Sequence, residues 1–123
     1  MVLGGDQKVR KKMKTSELTG AALDWAVAKC EGVSVEYIDD GITQCLLMSM
    51  GGRFNPSTNW AQGGPIIERE RIGVWHYQQK DWMASWWKDG RQAFGPAPLI
   101  AAMRCYVASK LGDDVEIPQG MGM

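Results

Sequence analysis

Side chains able to do acid–base, nucleophilic or metal chemistry are sparse in this chain. His76 is the single histidine, and the three cysteines, Cys30, Cys45 and Cys105, form no CxxC pair. Tetrahedral zinc usually needs four ligands at close spacing, so no metal is expected. A nucleophile–base pair would require Cys45 to meet His76 across a sheet. Asp39-Asp40 and Asp113-Asp114 fall where turns and a helix end are expected, and read as solvated caps. No two carboxylates stand at a spacing that suggests hydrolysis. The expectation is a non-enzymatic protein with no catalytic residues and no cofactor.

Binding chemistry is better represented. The run NPSTNWAQGGPIIERE, residues 55–70, gathers turn formers, an indole, two glycines and alternating charge. Asn55, Ser57 and Thr58 beside Pro56 are turn residues whose side chains bond nearby backbone. Gly63 and Gly64 permit backbone angles closed to other residues and leave N–H groups open to an anion. Trp60 offers a flat face for stacking, and Arg53, Arg69 and Arg71 would meet phosphate. Together these nine residues are the expected ligand site, and a small nucleotide-like molecule is the expected ligand. The other reading of the same run is structural: Trp60, Ile66 and Ile67 would pin a long loop to the core. No Gly-Lys-Ser/Thr follows the glycines, so this is neither a Walker loop nor a dinucleotide fingerprint.

Six tryptophans add a second expectation. Trp25 belongs to an apolar helix stripe and should be core, whereas Trp75 could face either way from a strand. Trp82, Trp86 and Trp87 stand too close together for all to point inward, because strand alternation sends Trp86 and Trp87 to opposite faces. These three are the expected partner-binding surface, where a host protein would be held.

The elements that must position these residues follow from periodicity. Leu23, Ala26, Val27 and Cys30 make one stripe of a helix over 20–31, with Thr19 as its cap, Leu18 and Leu23 as a staple and Gly32 as its stop. VSVEYI and QCLLMSM read as a hairpin around the turn at 39–41, and IGVWHYQ and DWMASWW as a second strand pair around Gln79-Lys80. Pro98 opens a second helix ending at Leu111, with Gly112 beyond it. The sum is an α+β fold: two helices on a short, mostly antiparallel sheet, with a long ordered loop over 51–71.

At 123 residues, with 45% hydrophobic and 23% charged, the chain suits one domain, expected over 13–118 with a loose tail at 119–123. No apolar run reaches the roughly 20 residues of a membrane helix, and no secretory signal opens the chain, so a cytoplasmic location is expected. Net charge is zero, but residues 1–14 carry five basic groups and one acid, leaving nine basic and 13 acidic groups elsewhere. Residues 1–12 read as a disordered basic leader or an appended extension. The acidic remainder makes duplex DNA an improbable partner. Short sheet edges invite pairing, so a homodimer is expected.

Three stretches, LTGAALDWAVAKCEG, NPSTNWAQGGPIIERE and GPAPLIAAMRCYVASKLGDDVEIP, resemble the NinX family of small phage and prophage proteins. The resemblance runs from Met13 to Pro118 and is loosest over 71–94. Members commonly carry Gly-Thr-Pro-Leu before the last helix, with threonine as its cap; Gly95-Pro96-Ala97-Pro98-Leu99 stands here, so that side-chain cap is missing. The resemblance implies a cytoplasmic phage accessory protein and supplies no catalytic residues. Joined to the residue chemistry, it makes a nucleotide-binding protein that counters host defence signalling the first expectation. A module that inhibits or recruits a host protein through an exposed tryptophan surface is the alternative.

Overall fold

The computed structural model describes residues 10–121 apart from Thr43 and Lys80. Helix α1 (Gly20–Glu31) and helix α3 (Pro98–Leu111) match the bounds expected from their apolar stripes. Leu18 and Leu23 are both buried, as a staple requires, and Gly32 closes α1 in the left-handed conformation at φ 70°. Thr19 occupies the cap position of α1 but its hydroxyl makes no capping bond. Ala97 likewise leaves α3 without a side-chain cap.

Between the helices, β2 (Val35–Asp39) and β3 (Gln44–Met48) form the first expected hairpin, and β4 (Ile72–His76) and β5 (Trp82–Trp86) the second. The turn at Gln79-Lys80 falls partly outside the described residues. Two further pairings lack a strong local signal. Strand β6 (Gln92–Gly95) adds to β5, giving the sheet order β4-β5-β6. Strand β1 (Arg10–Lys14) pairs antiparallel with β7 (Asp114–Pro118), placing Lys12 opposite Glu116 and Lys14 opposite Asp114. Residues 10–12 of the expected leader are therefore ordered, held by a partner strand whose Val115 and Ile117 are buried; residues 1–9 lie outside the described residues. In the expected loose tail, Met121 is buried.

Among the described residues the single short sheet is corrected to three separate antiparallel sheets, and the two helices to three α-helices. Residues 60–70 are not loop: Trp60–Glu70 is helix α2. Gly63, Gly64 and Pro65 all disfavour a helix interior, the proline because it lacks a donor and crowds the preceding turn. Two things overcome that cost. Asn59 caps the helix, its side chain accepting from the Ala61 N–H at 2.9 Å. Gly63 lets the helix settle directly on its neighbours, since a Cβ there would stand 2.5 Å from the Pro56 carbonyl oxygen and 2.6 Å from Leu99. Ile66 is buried as well, so tertiary packing overrides local propensity.

Helix α3 is the hub. It packs on the β4-β5-β6 sheet, on α1, on α2 and on β7, and its Leu99, Met103, Tyr106 and Val107 stripe is buried. Among the described residues no helix is long and apolar enough to cross a membrane.

Candidate functional site

The ends of three distant segments converge on one groove of about 520 Å³, lined by Arg69, Glu70, Arg71, Trp86, Trp87, Lys88 and Lys110. Helix α2 supplies the first three at its C-terminus, β5 and its exit turn the next three, and the last turn of α3 supplies Lys110. Trp86 ends β5 and Trp87 opens the turn beyond it, so strand alternation does not govern the pair, and both line the groove. Trp86 packs partly against the core, whereas Trp87 is 58% exposed. Cations surround both rings: Arg71 lies 5.7 Å from the Trp87 centroid and Lys88 5.8 Å, while Lys88 and Lys110 lie 5.5 Å and 5.8 Å from the Trp86 ring.

Arg71 holds an unusual backbone. At φ 56° it is the only non-glycine residue with positive φ among the described residues. For a residue with a Cβ this costs about 1 kcal/mol, and such outliers cluster at functional sites.

Arg69 is committed elsewhere. Its two Nη atoms donate to Glu31 at 3.1 Å and 2.6 Å, its Nε to Glu70 at 2.9 Å, and Nη2 also to the Tyr106 hydroxyl at 3.2 Å. The Tyr106 hydroxyl donates a short bond to Glu31. Burial alone would raise the Glu31 carboxyl, but these bonds outweigh it and hold the carboxyl below its ordinary value. Burial, then the hydrogen bond to Glu31, pushes the Tyr106 phenol up. Arg69 thus ties the end of α2 to α1 and α3. Lys110 is looser, 3.8 Å from Glu70, which leaves Arg71, Lys88 and Lys110 as the cations able to meet an anion.

The other expected site residues are dispersed. Trp60 begins α2 with 57% of its surface exposed and lines no part of this groove. Gly63 is buried and its N–H donates to the Asn59 carbonyl at 2.9 Å, and Gly64 lies within the same helix, so the pair is not an open N–H nest. Ser57 is buried, its N–H donating to Asp24 at 2.8 Å. Asn55 and Thr58 bond each other within the turn, and the Arg53 carbonyl accepts from Gln62. Among the expected ligand residues, only Arg69 and Arg71 reach the groove. Among the expected partner residues, Trp86 and Trp87 reach it, while Trp82 packs partly against the core beside His76.

Sequence reasoning missed Lys88, Lys110, Asp24, Glu31 and Tyr106. Lys88 adjoins Trp87 and was the one within reach of a local signal; the rest depend on segments brought together from far apart. No catalytic pair assembles among the described residues: Cys45 and His76 stand on separate sheets, and the His76 Nε2 lies 3.4 Å from the Gln79 carbonyl. None of the groups of His, Cys, Asp and Glu among them could hold a metal ion.

The amino-acid sequence matches one known family. The family model for bacteriophage P22 NinX matches residues 14–110. That span includes all three helices apart from the last residue of α3, and every groove residue. No curated protein matches the chain.

Proposed function

We propose, starting from the fact that this chain belongs to the bacteriophage P22 NinX family, that it is a non-enzymatic phage protein binding a small nucleotide-like anion in the Trp86–Trp87 groove. One observation carries this reading: Arg71, Lys88 and Lys110 crowd around two indoles, and Arg71 does so from a backbone conformation suited to glycine. Glu70 offsets part of their mutual repulsion from 3.8 Å off Lys110, and an anion among the cations lowers the remainder. A base stacks on the exposed face of Trp87, and its phosphate takes the three cations. Arg69 meets no ligand in this scheme; through Glu31 and Tyr106 it sets the position of Arg71. Sequestering a host signalling nucleotide in the cytoplasm of the infected cell is the role such a groove serves. A groove this short on an acidic body suits one small molecule rather than a duplex.

Isothermal titration with linear and cyclic nucleotides tests the proposal. Binding is expected to weaken with added salt and to fall at least about tenfold in Trp87→Ala, as loss of one stacked aromatic contact implies. Heat from none of the nucleotides refutes the ligand class, and unchanged affinity in Trp87→Ala refutes the location.

A second reading rests on a different surface. On the outer face of the β4-β5-β6 sheet, Trp75 lies opposite Met83 and Met83 opposite Phe94, with Tyr77 edge-on to Phe94 at 5.0 Å. Trp75, Tyr77 and Phe94 are exposed, which supports a docking surface for a host protein. Under this reading Trp75→Ala abolishes capture of a host partner and leaves nucleotide binding intact. Sedimentation at rising concentration separates that partner from a second copy of this chain.

A further inference from the structure

A second cleft, of about 560 Å³, lies among β6, the turn at Thr15–Glu17 and the junction of α3 with β7, and shares no residue with the tryptophan groove. Its floor holds a cation without a counter-ion. Arg104 is half-buried; its Nε donates to the Leu18 carbonyl and its Nη1 to the Phe94 carbonyl, each at 2.8 Å. It pairs with no carboxylate among the described residues, and its Nη2 has no partner there. Burial lowers the pKa of this guanidinium, as expected for a cation that is desolvated and not neutralised.

The rest of the lining offsets that charge without touching it. Lys14 adds a second cation, and Asp81, Asp113 and Asp114 bring three carboxylates. Asp113 is taken by Arg91 at 2.8 Å. The side chains of Asp81 and Asp114 accept no bond among the described residues. Lys14 and Asp114 stand opposite each other on the paired strands β1 and β7, whereas Arg104 and Asp81 make no ion pair among the described residues; Phe94 also lines the cleft. A purely anionic ligand meets the acids and a purely cationic one meets Lys14 and Arg104. A small molecule carrying both charges satisfies both ends.

We propose that this cleft binds a free amino acid with an apolar side chain, its carboxylate on Arg104, its ammonium toward Asp81 and Asp114, and its side chain on Phe94. The site is independent of nucleotide binding. The test is a titration of the isotope-labelled full chain, followed by nuclear magnetic resonance, with L-phenylalanine, L-leucine, N-acetyl-L-phenylalanine and L-phenylalanine amide. Saturable shifts of the Arg104 Nε–H and the Phe94 amide are expected with the two free amino acids. Each blocked derivative, lacking one charge, is expected to bind at least about tenfold more weakly. Asp114→Asn weakens the free amino acids in the same way without disturbing the bonds Arg104 makes to the backbone. The proposal is overturned if neither free amino acid gives a saturable shift up to about 10 mM, or if the blocked derivatives bind as well as L-phenylalanine.

Discussion

Asp24 sits in α1 with 5% of its surface exposed, making no ion pair among the described residues and accepting the Ser57 N–H at 2.8 Å. Burial pushes its carboxyl from the ordinary 3.8 up to about 6, while contacts with Ser57 pull the other way. Because the folded chain holds this proton more tightly than the unfolded chain, stability must fall as pH rises through the window from about 4 to about 6. The displacement is worth about 3 kcal/mol at neutral pH. Asp24→Asn removes the charge and keeps the acceptor: its Oδ1 still takes the Ser57 N–H. The variant is therefore expected to be more stable than the natural chain at pH 7.5, by about 1–3 kcal/mol, and equal to it near pH 4. Urea denaturation followed by tryptophan fluorescence across pH 4–8 measures the difference, with all other titrating groups cancelling between the two proteins. An asparagine variant less stable at pH 7.5, or a difference that does not change with pH, refutes the reasoning.

Two further substitutions separate the roles of α2. Gly63→Ala places a methyl group against the Pro56 carbonyl and Leu99, and a loss of about 1–3 kcal/mol in chemical denaturation is expected; no loss would mean that α2 does not seat there. Arg71→Gly relieves a positive φ and gives up a contact with Trp87, so stability should stay within about 1 kcal/mol while nucleotide affinity falls. Loss of both together would make Arg71 a structural residue.

The legible parts of the fold were those whose signal is local. The Leu23-Ala26-Val27-Cys30 stripe, with Gly32 after it, placed α1, and Pro98 with Gly112 placed α3. The two hairpins followed from short apolar runs around turn residues. The α2 helix was hidden because Gly63, Gly64 and Pro65 argue against it locally; its stability comes from Pro56 and Leu99, and Leu99 is far along the chain. Strand β1 was hidden because five residues rich in lysine and arginine become a strand only when Val115 and Ile117 of β7 lie beside them. The candidate site was half legible. Arg69, Arg71, Trp86 and Trp87 were singled out, but as members of two different sites.

From its sequence alone this chain determined an α+β fold of the NinX family, the bounds of its first and last helices, and a wealth of indoles and turns. Those properties depend on neighbours within a few residues, where periodicity and turn chemistry are readable. Tertiary structure alone decided that residues 69–71, 86–88 and 110 share a groove, that Arg69 is spent on Glu31 and Tyr106, and that Trp60 stands apart. Each of those outcomes depends on packing between segments distant in the chain, whose energies no local pattern encodes.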